Sequence, residues 1–221
     1  MISSSRNPIV RWDYVVDQSD SILAALWQHL ELTLLSVLVG LAVSAPLAAL
    51  ALRHRWTTSA ITGFTGFLYT LPSVALFALL VPAFGLSRVS TIIPLASYTL
   101  LILVTNIIAG FRSVPESVID AANGMGLTPA RRVLSVQLPL AMPSIITGIR
   151  IATVSTVGLL TVAAIIGQGG LGRLILDGLR RTFWTPMTVG AVLSILLALA
   201  LDGLILWLGR AATPWTRKAS P

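Results

Sequence analysis

Residues 112–143 read RSVPESVIDAANGMGLTPARRVLSVQLPLAMP, a polar stretch set between long apolar runs. Val114-Pro115-Glu116-Ser117 opens a helix: proline suits the first turn, and Glu116 and Asp120 meet the positive end of the helix dipole. Gly124 and Gly126 end that helix. Thr128 then caps a second helix with Pro129 as its first residue, and Leu138-Pro139 is expected to stop it. The stretch reads as a helical hairpin. Its outward face is expected to carry Arg131, Arg132 and the small Ala121 and Ala122, a shape suited to docking in another protein's groove.

What flanks the hairpin places it beside a membrane. The chain has 221 residues, 55% hydrophobic and only 10% charged, with a mean hydropathy of +0.88, so lipid must solvate much of it. A helix needs about 20 mainly apolar residues to cross the hydrocarbon. Five runs qualify: Leu30 to Leu52, Ala60 to Phe84, Val89 to Phe111, Ser144 to Gly167 and Met187 to Gly209. The first run is open to an earlier start near Ile22, with Ile22 to His29 lying along the interface, and Met1 to Asp20 is expected to form a surface segment ordered in part through Trp12 and Tyr14. One all-α integral membrane domain, residues 1–221, accounts for the whole length.

Charge sets the orientation. The formal net charge is +7, but the fifteen Lys and Arg sit in short clusters between apolar runs, which excludes a nucleic-acid stripe. With the N-terminus outside, Arg53, Arg55, Arg112, Arg131, Arg132, Arg150, Arg210, Arg217 and Lys218 fall at or near the cytoplasm. Arg6, Arg11, Arg88, Arg173, Arg180 and Arg181 fall outside, a modest positive-inside bias. The absence of cysteine excludes disulfides, thiolate metal sites and Cys nucleophiles. His29 and His54 are too far apart for a helix-spaced metal pair, so no metal site and no catalytic residue is assigned.

Asp120-Ala121-Ala122, then Gly126, then Val136-Gln137-Leu138-Pro139 resembles the cytoplasmic loop signature of binding-protein-dependent ABC importer permeases. That pattern is an acidic residue, two alanines, a glycine four residues after the second alanine, and a distal aliphatic-x-Leu-Pro. The departures, Asp120 for the usual Glu and Val136 for the usual Ile, keep charge and shape. The resemblance implies a five-span type I ABC importer transmembrane domain whose cytoplasmic coupling-helix hairpin sits in a cleft of an ATPase subunit. Glu116, Asp120, Ala121, Ala122, Gly126, Arg131, Leu138 and Pro139 are then the expected coupling residues, with Gly126 giving a tight turn and close helix approach. It also implies the partners: two cytoplasmic ABC ATPase subunits carrying the ATP and Mg, a second permease copy or paralogue, and an extracellular or periplasmic substrate-binding protein. The location implied is a bacterial or archaeal cytoplasmic membrane.

Within that family the chain is most similar to permeases for osmoprotectants such as glycine betaine, choline and carnitine. Three stretches carry this likeness: residues 69–76 (YTLPSVAL), 124–128 (GMGLT) and 167–172 (GQGGLG), the last shared with methionine-type permeases. An amino-acid permease, for methionine or proline, is the alternative within the family. The competing class is an ion-coupled secondary transporter, which normally shows inverted repeats and several intramembrane acids. No repeat is evident in this chain and such acids are few.

The spans contain further candidates. Pro46, Pro72 and Pro94 interrupt apolar runs and either set packing geometry or, at Pro72 and Pro94, shape a pathway. Tyr69, Phe77, Phe84 and Tyr98 offer ring faces to a quaternary ammonium ion or serve as packing. Gly167, Gly169 and Gly170 allow a sharp turn at the outer end of the fourth run, as packing or as a gate hinge. Asp202 faces the bundle interior, pairs with Arg150 or draws in water. Ser73 and Asn106 complete the candidate pathway residues, and Glu31 is expected at the outer interface.

Overall fold

The computed structural model describes residues 9–215. Arg6, Arg217 and Lys218, counted above toward orientation, lie outside the described residues. Four long helices form the frame: α2 (Ser19–Ala51), α5 (Val89–Arg112), α8 (Leu138–Val162) and α10 (Trp184–Ala212). A short α1 (Trp12–Asp17) precedes them. It is held by an edge contact of Tyr14 on Phe183 at 5.1 Å and by the Arg11 guanidinium 5.8 Å from the same ring.

The long helices pack through small residues. The buried positions of α2 include Ser36, Gly40, Ser44, Ala48 and Ala51, one stripe at helical spacing. Gly40 meets Thr99 of α5 so closely that an added Cβ would lie 1.8 Å from its Oγ1. On α8, Gly148 meets Asn106 of α5, where a Cβ would lie 2.6 Å from the asparagine Cβ. Gly209 of α10 meets Ile146 in the same way. Lipid offers no hydrophobic drive between helices, so such close approach supplies the association energy. The opposite faces expose Leu38 (59%), Leu199 (64%) and Trp207 (65%), a surface that hydrocarbon solvates.

The spans meet the sequence expectation in one place and differ from it in two. The helix of the first span begins before Leu30, in keeping with the earlier start: α2 is continuous from Ser19, so Ile22 to His29 forms part of its outer turns. At about 1.5 Å per residue, 33 residues exceed the roughly 30 Å hydrocarbon, and the excess stands outside it.

The second run is not one continuous helix. It divides into α3 (Arg55–Thr70) and α4 (Ser73–Phe84), bent by 91° at Leu71-Pro72. Proline forces the residue before it toward an extended conformation, and Leu71 has φ −65° and ψ 137°. The carbonyl freed at the break accepts the Tyr98 hydroxyl. Pro46 and Pro94 lie within α2 and α5, which continue through them.

Leu138-Pro139 does not stop a helix either. The chain runs from α7 (Pro129–Arg132) through a π-helical turn (Val133–Gln137) straight into α8. A proline in regular helix would clash with the carbonyl four residues back. The wider turn just before Pro139 relieves that conflict, so the helix survives and the fourth span begins well before Ser144.

The sequence reading assigned a glycine turn but no helix between the fourth and fifth spans. There the structure has a 3₁₀ turn (Ala163–Ile166), a glycine loop and α9 (Leu171–Arg180), whose buried Leu171, Gly172 and Gly178 pack inward while Arg173, Asp177 and Arg180 are exposed.

Candidate functional site

The hairpin is built as two short helices leaning on the frame. α6 (Glu116–Gly124) ends in a tight reversal. The Leu127 amide donates to the Ala122 carbonyl at 3.2 Å and the Gly126 amide to the Asn123 carbonyl at 2.9 Å. That pair of bonds requires a left-handed residue between them, and Gly126 supplies it with φ +71°. A Cβ at Gly126 would meet no atom within 4 Å, so its role is conformational and the expected close helix approach there is absent. Thr128 then caps α7, its Oγ1 accepting from the Arg131 amide at 3.4 Å.

The outward face differs in part from expectation. Glu116, Asp120, Ala121 and Arg131 are exposed. Ala122 is 1% exposed and packs inward, one residue's rotation (about 100°) from Ala121. Arg132 is half-buried and donates to the Asn123 side chain, bracing the two arms. Leu138 and Pro139 are half-buried in the start of α8. Two residues not singled out from sequence, Met125 (72% exposed) and Leu134 (66% exposed), put apolar bulk on the surface of the hairpin. An uncovered Met beside two glycines is the signal that would have found the first.

Inside the frame, Tyr69 and Tyr98 make an edge contact with ring centroids 5.9 Å apart. Tyr98 is buried, Tyr69 is 43% exposed, and Pro72 and Ser73 start α4 next to them. Ser155 and Thr156 of α8 pack beside these rings, with no room for a water-sized molecule among them. Ser155 also borders a cavity of about 410 Å³ lined by Arg150 and Asp202.

Arg150 and Asp202 form a two-pronged pair: Nε donates to Oδ1 at 2.8 Å and Nη2 to Oδ2 at 2.7 Å. Arg150 sits at the middle of α8, so it is a charge within the span and not, as counted from sequence, one near the cytoplasm.

Two other pathway candidates are elsewhere. Phe77 is 1% exposed in a core with Leu32, Leu95 and Leu160. Asn106 is part of the α5–α8 crossing: its side chain donates to the Ile102 carbonyl at 2.8 Å, and its own carbonyl accepts from Ser144 Oγ at 3.0 Å.

The outer glycine loop also packs closely. A Cβ at Gly169 would lie 2.6 Å from the Ala164 nitrogen, and one at Gly170 would lie 2.6 Å from the Ala25 carbonyl oxygen. Gln168 accepts from Gln28 at 3.2 Å and donates to the Leu86 carbonyl at 3.4 Å, tying α2 to the α4–α5 link. Glu31 and Arg88 pair at 2.6 Å across the same gap.

Residues 25–213 of this bundle match the family described as binding-protein-dependent transport system inner membrane component. The chain belongs to that family. It is an inner-membrane transport protein, and the competing secondary-transporter class is set aside. The osmoprotectant import permease protein OsmW of Salmonella typhimurium is 34% identical over 91% of this chain and 96% of its own length. The choline transport system permease protein OpuBB of Bacillus subtilis is 34% identical over 87% of this chain and 89% of its own. A chain of the inward-facing MetNI methionine ABC transporter superposes with a TM-score of 0.78 at 20% identity, over 89% of this chain and 98% of that one. The fold is therefore that of an ABC importer permease.

Proposed function

We propose that this chain is a single-domain permease subunit that imports osmoprotectants of the glycine betaine, choline and carnitine type. Its relatives of matching length carry those activities in their names, which supports the substrate class over methionine or proline. ATP and Mg are bound by two cytoplasmic ATPase subunits, and an extracellular or periplasmic binding protein delivers the substrate. The observation that carries the reading is the hairpin. It offers exposed Ala121, Met125 and Leu134 on a rigidly turned support continuous with α8, so force applied at α7 reaches the middle of the bundle without crossing a loop.

A second copy or a paralogue completes the pathway. The Arg150–Asp202 pair lies within spans with side chains 28% and 31% exposed. Charges in hydrocarbon are costly unless they face water or protein. That face of α8, which also exposes Thr147, Ile151, Val154 and Gly158, therefore belongs against another permease subunit or a water-filled path between the two.

ATPase stimulation in the complete reconstituted complex tests the assignment, screened with glycine betaine, choline, carnitine, proline and methionine. Stimulation by the quaternary ammonium compounds is expected; stimulation by methionine alone rejects the substrate class.

A further inference from the structure

We propose that the polar cavity between α1, α2 and α9, at the outer end of the bundle, binds a small soluble zwitterion that carries a quaternary ammonium and a carboxylate. The ligand class rests on the importer reading above. The site itself belongs to the permease and stands apart from the binding protein that delivers substrate.

The cavity measures about 540 Å³, inside the roughly 300–1,000 Å³ range of pockets that hold small molecules. One wall is a row of charge. Arg173, Asp177 and Arg181 all line it and follow one another at four-residue spacing along α9, whose final cap, Arg181, keeps a helical backbone. That spacing stacks them on one face of the helix. Among the described residues no ion pair closes within the row, so both signs are open to a ligand. The other wall, from α1 and α2, supplies Tyr14, Gln18, Ser21 and Gln28.

The two walls act on each other. Burial holds the Tyr14 phenol above its ordinary pKa, while the Arg181 charge lowers it and the Asp177 charge raises it. A quaternary ammonium has no N–H to donate and is held by aromatic surface and negative charge. Tyr14, fixed by its edge contact with Phe183, supplies the first and Asp177 the second. Arg173 and Arg181 supply the charge-assisted donors that a carboxylate takes. The walls are also held in place: a Cβ at Gly170 would lie 2.6 Å from the Ala25 carbonyl oxygen of α2, and one at Gly178 would lie 2.7 Å from the Met187 nitrogen of α10. A site fixed before its ligand arrives loses little in ordering.

A zwitterionic lipid headgroup offers the same two charges, but the exposed apolar side chains point the other way. Trp12 and Val16 stand two residues from Tyr14, and Leu23 and Trp27 two residues from Ala25, about 200° around their helices from the cavity. Those faces suit the outer leaflet, and the cavity lies on the opposite side of both helices.

The test measures equilibrium binding of glycine betaine, and of choline, which lacks the carboxylate, to the complete importer in nanodiscs without binding protein or ATP. Saturable binding of glycine betaine is expected. R173Q/R181Q is expected to weaken it about tenfold, the loss of one charge-assisted contact, and to leave choline binding undiminished. D177N is expected to weaken both ligands about threefold. All three side chains are exposed, so the thermal midpoint should stay at the wild-type value. Equal losses for both ligands in R173Q/R181Q, or unchanged binding in every variant, overturns the site. Nanodiscs of phosphatidylglycerol with and without phosphatidylethanolamine separate the two sources: equal binding supports the free ligand, and binding abolished by phosphatidylethanolamine assigns the cavity to a headgroup and overturns it. A complex that imports glycine betaine with its binding protein but does not bind it alone overturns this site and leaves the importer reading standing. One that does neither overturns the substrate class itself.

Discussion

Two turns at opposite ends of the bundle close their helices with the same pair of hydrogen bonds and the same left-handed glycine, yet the glycines beside them do different things. At the cytoplasmic end Leu127 bonds back to Ala122 and Gly126 to Asn123; at the outer end Gln168 bonds back to Ala163 and Gly167 to Ala164. Gly126 and Gly167 have φ of +71° and +75°. Around Gly124, Gly126 and Gly167 an added Cβ meets nothing, whereas Gly169, Gly170 and Gly172, which follow the outer turn, are pressed against neighbouring chain, including backbone of α2 and α8. The inner turn is a free projection whose shape is set by its own chain. The outer turn is a packed joint whose shape is set by its neighbours. A free, rigid projection suits a partner's groove and a packed joint suits a fixed pivot, so under the proposed function the same glycine-rich signal in sequence would serve docking at one end and packing at the other.

The contrast breaks most visibly at Gly172. A Cβ there would lie 2.3 Å from the Thr161 carbonyl oxygen, with backbone on the far side. Gly172→Ala is expected to cost about 3 kcal/mol or more, read as a large fall in the thermal midpoint in detergent or failure to recover monodisperse protein. At Gly126 the cost is purely conformational. Gly126→Ala is expected to destabilise the hairpin by about 1–2 kcal/mol, seen as faster amide exchange across residues 116–132 with little change in the global midpoint. Gly126→Asn should recover most of that loss, because Asn visits the left-handed region.

Thr128→Ala removes the cap of α7 and is expected to cost about 1 kcal/mol, detected as faster exchange at the Arg131 amide. The smallest effect has the opposite sign. Gly124 is the last residue of α6 and its Cβ space is open, so Gly124→Ala is expected to stabilise the hairpin by about 0.5–1 kcal/mol and slow its exchange.

Features governed by composition or by local chemistry were legible in the sequence. Apolar run length located the spans, because hydrocarbon thickness fixes how many residues a helix needs. Thr128 and Gly126 announced a cap and a turn, because those residue types solve a local backbone problem. Asp202 could be matched to Arg150, because an intramembrane acid requires a partner.

Features set by three-dimensional surroundings were not legible. Pro46, Pro72 and Pro94 look alike in sequence, yet only Pro72 marks a break: there the Tyr98 hydroxyl, from a separate helix, donates to the freed Leu71 carbonyl. Pro139 reads as a helix stop until a π turn is placed before it. Ala121 and Ala122 are chemically identical, and only the rotation of α6 sends one outward and the other into the fold. α9 is ten residues of amphipathic helix, too short to register as an apolar run.

Ala121 also gives the most direct test of the central claim, that energy from ATP enters through the hairpin. Its side chain is exposed on α6, so Ala121→Trp adds bulk where the fold has nothing to lose but a partner's groove would have to accept it. The measurement is ATP-dependent uptake of glycine betaine by proteoliposomes carrying the complete complex, alongside the amount of variant inserted and its thermal midpoint. Wild-type insertion and stability with uptake reduced at least about tenfold, the loss of one well-packed interface contact, is the expected result. Uptake at the wild-type rate would contradict the account, because a surface that tolerates an indole is not held in a cleft.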